Sequence, residues 1–239
     1  MRNDLTREEV AEVLDQVVQE LLEAAGVQGP PVDAIALAQK HLGMLVCLDR
    51  RQEQRGRAQR SGGKPIIYLR PEPTEERHQW TVAHEIAEHL KSTLMRRLGI
   101  DPEQVQAMSG ESLANLFAHR LLVPSCWFTA DAPALDYDVL ELKKRYRTSS
   151  HEVLALRLLD LPEPCIITII DNDRVHRRRS NAWRVNRRLY AVEQKCQRYV
   201  HEHGQPYRLA QTGWTVAGWP VHQPNWKREI LRSVKEEDG

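Results

Sequence analysis

The segment Trp80-Thr81-Val82-Ala83-His84-Glu85-Ile86-Ala87-Glu88-His89-Leu90 carries the side chains best suited to chemistry. An α-helix turns about 100° per residue, so Ala83, Ile86, Ala87 and Leu90 form one apolar stripe. His84, Glu85, Glu88 and His89 then fill an arc of roughly 140° on the other side. Two i,i+4 pairs interleave there: His84 with Glu88, and Glu85 with His89. Side chains one turn apart can close on one metal ion, and a carboxylate between them can take a proton from water on that ion. The zinc peptidase signature is His-Glu-x-x-His. This chain has His-Glu-x-x-Glu-His, one position away from the strict form. Taken alone, the pattern also reads as the polar face of a surface helix.

A second segment weighs against that plain reading. In Glu111-Ser112-Leu113-Ala114-Asn115-Leu116-Phe117-Ala118-His119-Arg120-Leu121-Leu122-Val123-Pro124, an apolar stripe of Leu113, Ala114, Phe117 and Leu121 faces one way. Glu111 and Asn115 share a neighbouring stripe. A carboxylate at a helix start, about 25 residues beyond the first motif, is where a helical zinc protease can place its third ligand. The two segments in this order resemble the ImmA/IrrE family of zinc-dependent metallopeptidases. The resemblance begins at the strand Ile66-Ile67-Tyr68-Leu69 and at Arg77-His78-Gln79-Trp80-Thr81-Val82-Ala83. It extends through Glu111-x-x-Ala114-Asn115-x-Phe117-Ala118-x-x-Leu121-Leu122-x-Pro124 to Leu140, Tyr146, Ser149 and Leu156-Arg157-Leu158, and covers about residues 10–160.

The resemblance implies roles position by position. His84 matches the first metal ligand, Glu85 the general base and Glu111 the third ligand. The second ligand position, His in the family, is Glu88 here, with His89 beside it. Glu88 can bind through oxygen, which admits manganese or iron beside zinc. A one-residue helix bulge would instead present His89. An inverted arrangement would use Glu85 and His89 as ligands and Glu88 as base. A metal-free pseudo-enzyme is the remaining alternative. His119, near the face of Asn115, reads either as an oxyanion or substrate contact or as a partly buried surface histidine. The family activity is cleavage of one particular protein, a helix-turn-helix transcriptional repressor, in transcription regulation and stress response. A non-catalytic antirepressor or sensor that binds the repressor without cutting it is the rival from another class.

The elements that must position these groups follow from periodicity. Residues 5–26 read as a helix opened by a capping box, Thr6 to Glu9, and closed at Gly26. A second helix runs from Val32 to His41. Met44–Leu48 reads as a short buried strand, residues 50–64 as a basic loop or hairpin tip, and 65–69 as a returning strand. Glu75 to about Leu98 reads as one long helix and Glu111–Leu122 as another, stopped by Pro124. Two short helices follow at 136–146 and 149–159. Composition changes at Leu161-Pro162-Glu163-Pro164. Beyond it come a β run (165–170), an Asp-Asn-Asp turn, a helix from Val185 to His203 and a tail with Trp214, Trp219 and Trp226, read as the core of a small β-rich module. The expected fold is α+β: a helical metallopeptidase-like domain with a small β-hairpin or sheet over residues 1–161, then a smaller C-terminal α/β module over 162–239.

Composition bounds the rest. The chain has 239 residues, enough for a core that needs no disulfide. Lys+Arg 34 against Asp+Glu 33 gives a formal charge of +1, so no global field draws it to nucleic acid or membrane. No apolar run reaches the roughly 18 residues of a membrane span, and the polar start MRNDLTREEV is no secretory signal. Cys47, Cys126, Cys165 and Cys196 are far apart and read as reduced core thiols of a cytoplasmic protein. Arg174, Arg177, Arg178, Arg179, Arg184, Arg187 and Arg188 cluster near Trp183 and Tyr190. They read first as a solvated face balanced by the acidic N-terminal helix. A nucleic-acid-binding patch is the alternative.

Overall fold

The computed structural model describes residues 5–61, 63–100 and 110–236, with the backbone alone for residues 60, 61 and 110–112. The fold is α+β and divides into two compact units. One is Met1–Pro133 with Lys144–Ser150, and the other is Ala134–Lys143 with His151–Gly239. The composition change at 161–164 falls inside the second unit, before its first strand.

The first unit opens with α1 (Arg7–Ala24), whose N-terminus carries the expected capping box: Glu9 N–H donates to Thr6 Oγ1, and Thr6 N–H to the Glu9 carboxylate. Val10, Leu14, Val17, Val18 and Leu22 bury its apolar stripe. Next come α2 (Ala34–Lys40) and the strands β1 (Leu45–Leu48), β2 (Gly56–Ser61) and β3 (Lys64–Leu69), which form a sheet in the order β1-β3-β2. β1 runs parallel to β3, and β2 antiparallel to it. β1 is an edge strand and is not the buried strand its apolar residues suggest: Leu45 and Leu48 are exposed. An apolar run fixes a strand but does not say which face another element covers.

The expected long helix after β3 is two helices, α3 (Glu75–His89) and α4 (Lys91–Arg97), separated at Leu90 with φ −86° and ψ 1°. The apolar period continues through Leu94 and Leu98, both buried, so the sequence gives no sign of the break. α5 (Gly110–Leu122) follows. Pro124 ends it but also starts α6 (Ser125–Ala134), which the sequence reading lacks: Phe128 N–H donates to the Pro124 carbonyl. In this unit Tyr146 is fully buried and donates to Asp131 at 2.7 Å; burial, aided by that bond, pushes its hydroxyl well above the usual range.

α7 (Val139–Arg145) spans the two units. The second unit holds α8 (His151–Arg157), a 3-10 turn at Leu158–Asp160, and β4 (Ile166–Asp171), β5 (Arg174–Ser180), α9 (Ala191–His203), β6 (Tyr207–Gln211), β7 (Trp214–Pro220) and β8 (Arg228–Lys235). The five strands form an antiparallel sheet in the order β5-β4-β8-β7-β6. α9 packs on one face around Ile170, Val192, Cys196, Val200, Val216 and Leu231. It starts at Ala191, not Val185, and residues 181–190 are irregular. The tail tryptophans differ: Trp219 is buried, Trp214 half-buried and Trp226 exposed, so only the first is fully in the core. Likewise Cys165 and Cys196 are core thiols, the latter raised to about 12 by burial, whereas Cys47 and Cys126 are exposed. No helix among the described residues is long and apolar enough to cross a membrane.

The close approach of α9 to β7 depends on Gly218. A Cβ there would stand 2.9 Å from Leu231 Cδ2 and Val200 Cγ2 and 3.0 Å from Cys196 Sγ. Gly218→Ala is expected to cost about 1–3 kcal/mol through overpacking, read as a lowered urea midpoint. An unchanged midpoint would mean that α9 does not pack this tightly.

Candidate metal centre

Helix α3 is positioned by two named side chains at its start. At its first turns, buried Gln79 reaches α2: its Oε1 accepts from Ala34 N–H at 2.7 Å, and its Nε2 donates to Asp33 Oδ1 at 2.9 Å. Asp33 is itself the N-cap of α2, so the amide fixes one helix start against the other helix. Upstream, Glu72 sets the turn between β3 and α3, taking hydrogen bonds from Arg70 at 2.7 Å and Arg77 at 3.0 Å. Burial works to raise the Glu72 carboxyl, but the two guanidiniums outweigh it and hold the group below its usual range.

Of the expected apolar stripe, Ala83, Ile86 and Ala87 are buried in the core and Leu90 is half-buried. On the neighbouring face His84 is half-buried, with the Trp80 ring 5.4 Å away one turn earlier. His84 Nδ1 lies 3.0 Å from Asn115 Oδ1 on α5. An amide oxygen can only accept, so this contact places a proton on Nδ1. A histidine prepared to bind a metal through one nitrogen has this form, its other ring N–H bonded to a fixed acceptor.

Glu85 is 9% exposed, at variance with a place on an open polar arc. Strand β2 covers it. A Cβ on Gly56 would stand 2.8 Å from Glu85 Oε1 and would also collide with the Thr81 methyl. Only a residue without a side chain lets β2 approach this closely. Glu88 is half-buried, and its Oε2 accepts from Lys91 Nζ at 3.1 Å. Both partners of that pair are substantially exposed, so it is worth at most about 1 kcal/mol and exchanges readily for a stronger cation. His89 is exposed and is the last residue of α3, which is regular α-helix to that point, without a π turn.

Glu111 falls in the first turn of α5, one turn before Asn115, so its backbone lies on the helix that holds His84. Its side chain lies outside the described residues. His119 is half-buried one turn beyond Asn115. Among the described residues no three His, Cys, Asp or Glu side chains are grouped to hold a metal ion. The donors that α3 does present, an imidazole nitrogen and a carboxylate oxygen one turn apart, suit a divalent ion of the zinc, manganese or iron class.

Two residues at this centre carry no role in the sequence reading. Asn115 is signalled only by its i,i+4 spacing from Glu111. Gly56 has no local signal, because the contact that requires a glycine is made with a helix 25 or more residues away.

The model of a peptidase family described as the IrrE N-terminal-like domain matches residues 39–159. Among solved structures, a Mycobacterium tuberculosis transcriptional regulator is similar over 95% of this chain and 80% of its own, at 16% identity and a TM-score of 0.66. That likeness is one of fold. No curated protein matches the sequence.

Gly56→Ala must move β2 or displace Glu85. It is expected to lower stability by about 1–3 kcal/mol, measured by urea denaturation. An unaltered midpoint would remove the contact between β2 and α3 from this account.

Proposed function

The chain belongs to the peptidase family of the IrrE N-terminal-like domain, and on that basis we propose that it is a metal-dependent endopeptidase, zinc being the resident ion, which cleaves one helix-turn-helix transcriptional repressor and so controls gene expression. The observation that carries the reading is the His84–Asn115 bond, which links the two signature helices and orients the imidazole through Nδ1. The fold likeness to a protein described as a transcriptional regulator supports placing the cleavage in gene control.

His84, Glu88 and Glu111 would hold the ion. When bound, a divalent ion lowers the pKa of water in its open position and polarises the scissile carbonyl. The chain's own work is proton transfer and orientation. The Glu85 carboxylate takes the proton from the attacking water and returns it to the leaving amine. β2 over Glu85 limits the water around that carboxylate and fixes its direction. Asn115 keeps the His84 ring in one tautomer. His119 stands on α5 as the donor to the oxyanion or the substrate.

Glu88 completes the ligand set in this reading because it lies about 40° from His84 around the axis, whereas His89 lies about 140° away. The regular course of α3 to His89 supports that choice. A carboxylate in place of imidazole hardens the site, so manganese or iron can substitute for zinc. The same departure at position 88 supports a second reading, a non-catalytic antirepressor that binds the repressor without cutting it.

Glu85→Gln is expected to retain the ion and to lose cleavage of the cognate repressor by about 10²–10⁴-fold, because an amide cannot act as a base. Cleavage at the parent rate would exclude Glu85 as the base. Glu88→Ala and Glu111→Ala should lower zinc content by elemental analysis and His89→Ala should not, while Glu88→His should tighten zinc binding. Metal lost in His89→Ala and kept in Glu88→Ala would reverse the assignment. Intact cleavage by all the ligand variants would favour neither set and would refute metal dependence.

A further inference from the structure

The arginines of the second unit do not act as one patch. Arg178 is buried, donating to Thr168 Oγ1 at 2.6 Å and to Glu193 Oε1 at 2.7 Å. Arg177 stands 3.8 Å from Glu152. Arg178 thus belongs to the interior, and Arg177 is a partly exposed, paired residue. Arg184, Arg187 and Arg188 differ: all three are exposed, and no ion pair holds any of them among the described residues. They lie on the irregular segment 181–190, which contains no acidic residue.

The same segment is rich in exposed aromatic surface. Trp183 is 37% and Tyr190 41% exposed. Both rings pack on Trp214 at the start of β7, with centroids 5.7 and 5.0 Å away. The segment is fixed at both ends. Ser180 Oγ accepts from Ala182 and Trp183 N–H at 3.1 Å each, and Tyr190 N–H donates to Glu193 Oε2 at 2.7 Å. Asn181 ties its first residue to the Leu161 and Glu163 carbonyls. The nearby acids are occupied: Glu193 by Arg178 and Ser233, and Glu236 by Thr215 Oγ1 at 2.7 Å.

We propose that the Trp183–Tyr190–Trp214 cluster, with Arg184, Arg187 and Arg188, is a binding surface for single-stranded nucleic acid. Unpaired guanidiniums suit phosphate, and the partly open Trp183 ring suits the flat face of an unstacked base, while Tyr190, with the Arg178 guanidinium 5.1 Å over its ring, helps to fix the cluster. A duplex hides its base faces in the stack and presents only phosphates, sugars and base edges. An acidic peptide presents carboxylates without a planar face. A free nucleotide carries a base and phosphate but no continuing backbone for further guanidiniums. The proposal does not rest on the peptidase reading, since none of these residues belongs to the metal centre.

The test uses the full chain and a labelled oligothymidylate of about 12 nucleotides, within the usual range of single-strand site sizes, followed by fluorescence anisotropy against salt. Three phosphate contacts predict a log–log slope of about −2. The triple variant Arg184→Gln/Arg187→Gln/Arg188→Gln should flatten that slope, and Trp183→Ala should weaken binding about fivefold or more. Trp183→Phe keeps a stacking face and should bind nearly as the parent, which separates a lost contact from a lost fold. Glu85→Gln should bind as the parent does, so failure of the peptidase reading leaves this result untouched. Absence of binding at low salt would overturn the proposal. So would a slope unchanged in the triple variant, or affinity for a duplex, for thymidine monophosphate or for polyglutamate equal to that for the oligomer.

Discussion

The hydrogen bond between His84 and Asn115 joins the two helices on which the candidate chemistry depends. It does two things. It ties α3 to α5 across 31 residues of chain, and it selects one tautomer of an imidazole that is otherwise free to adopt either. The elements around it keep it in place. Gln79 secures the start of α3 on α2, Glu72 sets the turn that precedes it, and β2 lies over Glu85 at Gly56. A helix held this way can present a ligand and a base side by side without either being free to turn away.

Strength and weakness are distributed according to need. The contacts that position α3 are buried or made to charged partners, where a lost hydrogen bond leaves an unsatisfied group and costs most. The one contact at the position in dispute, Lys91 to Glu88, is exposed and weak. The start of α3 is thus firmly fixed, and the Glu88 carboxylate is only lightly held.

Much of the first unit is legible in the sequence because its signals are local. The capping box at Thr6, the stripe of Ala83, Ile86 and Ala87, and the helix carrying Asn115 all declare themselves within a turn or two. What was not legible depends on distant partners. Leu45 and Leu48 look like core and are exposed, because burial is decided by what lies across the strand. The break at Leu90 interrupts no period, and Pro124 both ends one helix and begins another. Glu85 reads as a polar-face residue until β2 is placed over it, and the glycine that permits this is in another element. In the second unit, a run of arginines that reads as one basic stretch separates into buried, paired and exposed members once β5 is built.

The central claim, that His84 is prepared by Asn115 to bind a divalent ion through Nε2, can be read directly. The measurement is nitrogen NMR of the His84 ring in the full chain, assigned with His84→Gln and followed as zinc is added. The account predicts a protonated Nδ1 before and after addition, a large change at Nε2 on binding, and loss of the fixed tautomer in Asn115→Ala. A ring protonated on Nε2, or one whose two nitrogens do not respond to zinc, would contradict it.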